Sequence, residues 1–184
     1  MNIFIACSSS EEIPKKYFKK SFELLNEIFK KENDLVFGAY YEGIMNYAYK
    51  IALENKRKIT GIVPEKYIDD AKDLKLNKKI VTKDIVSRGQ ELLKNSDICI
   101  FLPGGLGTIL ELSMALDKKR NGEIDSKIII FNEFNFFDGY LENIKKIFDE
   151  KFTNEKFKEI FFVSKEISEI IEYIEESKNK TKEK

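Results

Sequence analysis

Three glycines, a hydroxyl and a carboxylate fall within ten residues, LPGGLGTILE at 102 to 111, directly after the apolar run Ile98-Cys99-Ile100-Phe101. The chemistry these residues allow is anion binding. Glycines let the backbone approach a ligand closely and take up positive φ. Free N–H groups at the start of a following helix, with that helix's dipole, favour an anion, typically a phosphate. Thr108 adds a hydroxyl donor at the first turn. The stretch lacks the Lys-Ser/Thr ending of a P-loop and the spacing of a dinucleotide fingerprint, so a monophosphate suits it better than a triphosphate. Glu111 lies three residues past Thr108, one turn into the helix and near the loop mouth. Two readings stay open for it. It can close a capping box with Thr108. Alternatively, it can stand where positive charge develops beside the phosphate, as at the sugar carbon in the oxocarbenium-like transition state of glycosidic cleavage.

What is missing narrows the chemistry further. The chain has no histidine, which removes Ser-His and Cys-His catalysis and leaves carboxylates, lysines and tyrosines as acids and bases. Cys7 and Cys99 sit at apolar, strand-like positions and read as buried free thiols. Without histidine or cysteine partners at ligand spacing, no metal site is expected. Thirty-two basic residues cancel thirty-two acidic ones, so no overall positive field recruits nucleic acid or an anionic membrane. Apolar runs are strand-sized, far short of the roughly 20 residues of a membrane span. The start, MNIFIACSSSEE, has neither a basic region nor a long apolar segment and does not read as a signal peptide, so a cytoplasmic location is the expectation.

Short apolar runs alternate with longer amphipathic ones. Strands are predicted at 2–7, 34–38, 58–63, 97–102, 127–131 and 160–163. Helices are predicted at 11–31, 42–55, 83–95, from 107 to before the Asn121-Gly122 turn, at 140–151, and finally to 176. Residues 65–82 are charged and poorly periodic, and are read as an excursion at the sheet edge. Strands this apolar are buried on both faces, and helices separate them; the class is α/β, a doubly wound, mainly parallel sheet with helices on both faces. With 184 residues and no repeat or linker, one domain over 1–176 is expected, followed by a frayed polar tail at 177–184.

PGGLGTILE follows the pattern PGGxGTxxE, and Arg88 stands fifteen residues before Pro103. Both features resemble the Lonely Guy family of cytokinin-activating phosphoribohydrolases, many of which carry an older "lysine decarboxylase" label. IFIACSSS is similar to the family's first strand and CGSS turn, DLVFGAYYEGIMNYA to its GGGxxGLMG segment, and RKITGIVP to the strand after it. SKIIIFNEFNFFDGYLENI resembles KPVxLLNxxGYYDxL, so the likeness spans nearly the whole chain.

The resemblance implies a Rossmann-like fold and a homodimer with active sites near the interface. It also implies hydrolysis of the N-glycosidic bond of a nucleoside 5′-monophosphate, releasing free base and ribose 5-phosphate without a cofactor. By carry-over, Gly104, Gly105, Gly107 and Thr108 cradle the phosphate, while Ser9, Gly43 and Met45 belong to the substrate-binding segments. Arg88 and Glu111 form the catalytic pair, with Glu111 stabilising the ribosyl cation or orienting water and Arg88 positioning sugar and carboxylate.

Several positions depart from the family pattern. Gly89 replaces a lysine and takes a positive charge out of the pocket. Tyr40, Tyr41 and Glu42 crowd a glycine loop, and Ser8 replaces a glycine. Leu110 replaces a glutamate, and Leu116-Asp117 replace the Thr-Trp of plant-type members. These departures imply a base pocket unlike the plant one, for an ordinary purine nucleotide or a cytokinin nucleotide. Loss of catalysis is the competing reading, since the superfamily includes molybdenum-cofactor carriers and nucleotide-sensing domains. An amino-acid decarboxylase is set aside, because no context suggests a Schiff-base lysine. The aromatic stretch FNEFNFFDGY, 131 to 140, is read as packing helices or a dimer face rather than stacking on a base.

Overall fold

A computed structural model describes residues 1–154 and 159–182. Seven strands form its sheet: β1 (Asn2–Ala6), β2 (Asp34–Phe37), β3 (Ile59–Pro64), β4 (Lys78–Thr82), β5 (Ile98–Phe101), β6 (Lys127–Phe131) and β7 (Phe162–Ser164). All pair in parallel, in the order β4-β3-β2-β1-β5-β6-β7. The apolar runs of the sequence are these central strands, buried on both faces as parallel sheets require.

Helices α1 (Lys15–Lys30), α2 (Gly43–Glu54) and α6 (Ile167–Lys182) share one core with one face of the sheet. Helices α3 (Ile85–Lys94), α4 (Leu106–Arg120) and α5 (Asp138–Asp149) share a second core with the other. Amphipathic spacing sets each orientation: α1 buries Ser21, Leu24, Leu25, Ile28 and Phe29, one stripe of a 3.6-residue period. A capping box fixes the start of α3, with Ser87 N donating to Asp84 Oδ1 at 2.8 Å and Asp84 N donating to Ser87 Oγ at 3.1 Å.

Two expectations are corrected. Residues 65–82 do lie at the sheet edge, but as a 3₁₀ turn (Glu65–Ala71) and an added strand, β4, rather than an excursion from the sheet. Lys78 and Lys79 face solvent there, so the strand carries none of the apolar alternation that marks a half-buried one. At the other end, α6 runs on to Lys182, through most of the expected frayed tail; residues 183–184 lie outside the described residues. Lys178 Nζ ties it to the fold by donating to Lys31 O, just past α1, at 2.7 Å, and Ser177 is buried beside it with its hydroxyl turned back to Tyr173 O of the same helix.

The aromatic stretch after β6 packs on α1. Phe134 and Phe136 meet the Tyr17 ring edge-on at centroid distances of 5.5 and 5.7 Å, and Phe137 is buried. The turn there is left-handed at Phe134 (φ 50°) and Asn135 (φ 61°). Glu133 is buried beside it, with neither carboxylate oxygen finding a hydrogen-bond partner. Burial pushes its pKa up to about 7 against the opposing pull of Lys20.

Order 3-2-1-5 means that the chain leaves β1 toward β2 on one side and returns beside it as β5 on the other. The crevice at such a reversal, beyond the carboxyl ends of the strands, is where open α/β sheets bind ligands.

Candidate active site

A cavity of about 490 Å³ occupies that crevice. Its walls come from the segments after β1 (Ser8, Ser9, Ser10), after β2 (Gly38, Ala39, Tyr40) and after β5 (Gly105 to Thr108), with Arg88 from α3 and Glu111 from α4.

Gly105 is the N-cap of α4 and no side chain caps that helix, so its first-turn N–H groups remain available at the cavity wall. A Cβ on Gly105 or Gly107 would meet nothing within 4 Å, which leaves open space above bare backbone. Gly104 has a different duty. A Cβ there would run into Thr108 Oγ1 and lie 3.1 Å from the Cys7 carbonyl carbon, so this glycine allows the loop to close on its own helix and on β1. It does not line the cavity, whereas the largely buried Thr108 does.

Gly43 is likewise a support. It sits at φ +59°, and a Cβ would fall 2.6 Å from Ser9 C and 2.7 Å from Ser8 O. Its N–H donates to Glu11 Oε1 at 2.8 Å, and Met45 N donates to Ser8 O at 3.3 Å. Together these bonds seat the β1 turn on α2, leaving Ser9 and Met45 on the cavity wall and Gly43 beneath it. Ser8, in place of a glycine, stiffens the same turn by accepting from Ser10 N at 3.0 Å.

Arg88 and Glu111, 23 residues apart in the chain, meet in the cavity: Nη2 donates to Oε1 at 3.0 Å. Their side chains are 19% and 12% exposed, so the pair is shielded from water. Arg88 Nη1 also lies 3.5 Å from where a Cβ on Gly38 would be, and Nε is buried without a partner. Burial raises the pKa of Glu111 above the ordinary carboxylate value, and Arg88 partly offsets the rise. This geometry excludes the capping-box reading of Glu111. It lies beyond the first turn of α4 and bonds a guanidinium, not a helix end.

Cys7 borders the cavity as a buried free thiol, its pKa driven up by burial and by the Glu111 charge. Cys99 is buried in the sheet, its thiol raised to about 12. Among the described residues, no group of three or more potential metal ligands comes together.

Two departures fall outside the pocket and a third lies within it. A side chain at Gly89 would point at Met114, 3.1 Å away, so a charge at this position belongs between α3 and α4 rather than in the pocket. Leu116 and Asp117 line a separate cavity of about 350 Å³ between α4 and α5. Tyr40 does enter the site. Tyr41 stacks on it with ring centroids 5.4 Å apart, and the Tyr40 hydroxyl bonds Glu42 at 3.4 Å.

Sequence reasoning missed Tyr67 and Asp70, which line the cavity from the 3₁₀ turn after β3. The signal for them was topological: an aromatic and an acid immediately beyond the Pro64 end of a parallel strand.

An uncapped helix start, with a shielded carboxylate and guanidinium across a switch-point crevice, belongs to an α/β protein of Rossmann-like build. The chain belongs to the family described as "Possible lysine decarboxylase", whose model matches residues 45–174. It is 26% identical to cytokinin riboside 5'-monophosphate phosphoribohydrolase LOG3 of Arabidopsis thaliana, over 95% of this chain and 81% of that protein. It is 25% identical to probable cytokinin riboside 5'-monophosphate phosphoribohydrolase LOGL6 of Oryza sativa subsp. japonica, over 94% of this chain and 70% of that one. Among solved structures it resembles the molybdenum cofactor binding protein from Rippkaea orientalis, with a TM-score of 0.72, 20% identity and 95% coverage of both chains. That last likeness concerns the fold alone.

Proposed function

We propose that this protein is a phosphoribohydrolase that cleaves the N-glycosidic bond of a nucleoside 5′-monophosphate to give free base and ribose 5-phosphate. The observation that carries the reading is the shielded Arg88–Glu111 pair, at 3.0 Å, beside an uncapped glycine-rich helix start. The first-turn N–H groups of α4 and the Thr108 hydroxyl hold the 5′-phosphate, with Ser9 lining the same cavity. As the C1′–N bond breaks, its electron pair leaves with the base and positive charge spreads over C1′ and the ring oxygen. Glu111, ionised, lies where it stabilises that charge and accepts the proton of the water whose oxygen adds to C1′; a proton returns to the departing base. Arg88 orients the carboxylate and, by its own charge, opposes the rise in pKa that burial brings.

The relatives named as phosphoribohydrolases support this chemistry at modest identity. The mouth of the cavity suits a homodimer: Leu106 is 90% exposed there, and Leu110, Ile85 and Val86 are exposed nearby, an apolar rim for a second copy to cover. The test is a panel of nucleoside monophosphates with released base as the readout. At least one purine monophosphate is expected to be cleaved, with kcat lowered about 10²–10⁴-fold in Glu111→Gln and in Arg88→Ala. Binding of a panel member without cleavage makes the protein a nucleotide carrier or sensor instead.

A further inference from the structure

Tyr67 and Asp70 have no part in the chemistry above, yet they face the same cavity. Strand order puts the lining in sequence. The anion seat follows β5 and the Tyr67–Asp70 turn follows β3, with β1 and β2 between them. At the usual interstrand distance these ends stand about 14 Å apart, three spacings across the sheet. The reactive pair lies midway: Glu111 acts on Cys7 at the end of β1, and Arg88 lies against Gly38 at the end of β2. A nucleotide with its phosphate on α4 and its sugar carbon at Glu111 therefore extends its base toward the end of β3.

We propose that Asp70, which lines the cavity together with Tyr40 and Tyr67, reads the base, and that it selects a purine with an unsubstituted exocyclic amine. This rests on the phosphoribohydrolase reading for the direction in which the nucleotide lies. Asp70 is partly buried and has neither a hydrogen-bond nor an ion-pair partner among the described residues. The hydroxyl of Tyr40 is engaged with Glu42 instead. An ionised carboxylate only accepts hydrogen bonds, so it pairs with an amine and repels a carbonyl oxygen in the same place. An alkyl chain on that amine would press apolar surface against the carboxylate and strip it of water. The two tyrosines supply ring surface for the base itself, a contact tolerant of base identity, so that discrimination falls to Asp70.

The experiment compares AMP, IMP and isopentenyladenosine monophosphate in the wild type, Asp70→Asn and Asp70→Ala. Folding of each variant is checked by its melting temperature. Wild-type kcat/KM is expected to favour AMP over each of the other two by about tenfold or more, since a polar site discriminates strongly against a mismatched partner. Asp70→Asn, which can also donate, should shrink the AMP:IMP ratio by about the same factor, and Asp70→Ala should relax the exclusion of the alkylated substrate. A ratio unchanged in both folded variants, or a wild type that prefers IMP or the alkylated nucleotide, overturns the assignment. Should no nucleotide be cleaved, the same comparison is made by calorimetric binding. A preference for AMP that depends on Asp70 then leaves this inference standing while the hydrolase reading falls, and absence of binding by all three removes both.

Discussion

At the level of single side chains, burial and charge oppose one another at Glu111, and the balance sets two measurable behaviours. Its folded pKa lies above that of the unfolded chain, so the carboxyl favours folding while protonated and this contribution is lost as pH rises. Removing the guanidinium leaves that burial unopposed. Arg88→Ala is therefore expected to lower stability by about 1–3 kcal/mol at neutral pH, and by less as the pH is lowered and Glu111 takes up a proton. Melting curves at falling pH check it; a deficit constant with pH would mean that Arg88 acts through packing alone. Cys7 supplies a second check. Its thiol is held protonated by burial and by Glu111, so iodoacetamide at pH 8 should leave the folded protein's cavity thiol unmodified and label it on unfolding. Glu111 and Arg88 were legible in the sequence through their register with a family motif, because spacing alone cannot say that two helices bring them together. Asp70 was not. It is one of 32 acidic residues, in a charged stretch whose place in the sheet only the pairing of β4 reveals.

Among the secondary-structure elements, the glycines separate into those that shape the fold and those that leave room for a ligand. Gly43→Ala forces a methyl group into the Ser8–Ser10 turn at a left-handed φ and should destabilise by about 1–3 kcal/mol. Gly107→Ala has the opposite sign. The residue lies in the first turn of α4 with open space above it, so alanine should raise stability by up to about 1 kcal/mol through helix propensity. It should at the same time weaken nucleotide binding by covering the backbone. Thermal denaturation and nucleotide affinity, measured on the same two variants, separate the roles; a Gly107→Ala protein that binds as the wild type does would move the anion seat elsewhere. The central strands β1, β2, β5 and β6 were readable as apolar runs because burial on both faces writes itself into composition. β4 and the end of α6 were not, since an edge strand and a helix end tied down through Lys178 keep polar residues.

For the molecule as a whole, pH acts through Glu133, far from the chemistry and lodged between the β6 turn and α1. With its pKa raised to about 7, the contribution of its protonated form is complete below the unfolded carboxylate value and lost as pH climbs through 7. Glu133→Gln should consequently be more stable than the wild type at pH 8 and indistinguishable from it near pH 4; equal melting temperatures at pH 8 would place the ionised group in contact with water. The lysine-bearing margin at β4 has its own consequence. Unsatisfied backbone there invites a neighbouring chain, but a parallel copy laid alongside in register would set ammonium against ammonium at Lys78 and Lys79. Parallel stacking at that margin is thereby disfavoured, and replacing Lys78 and Lys79 with threonine should make concentrated solutions more prone to aggregate, as light scattering would record.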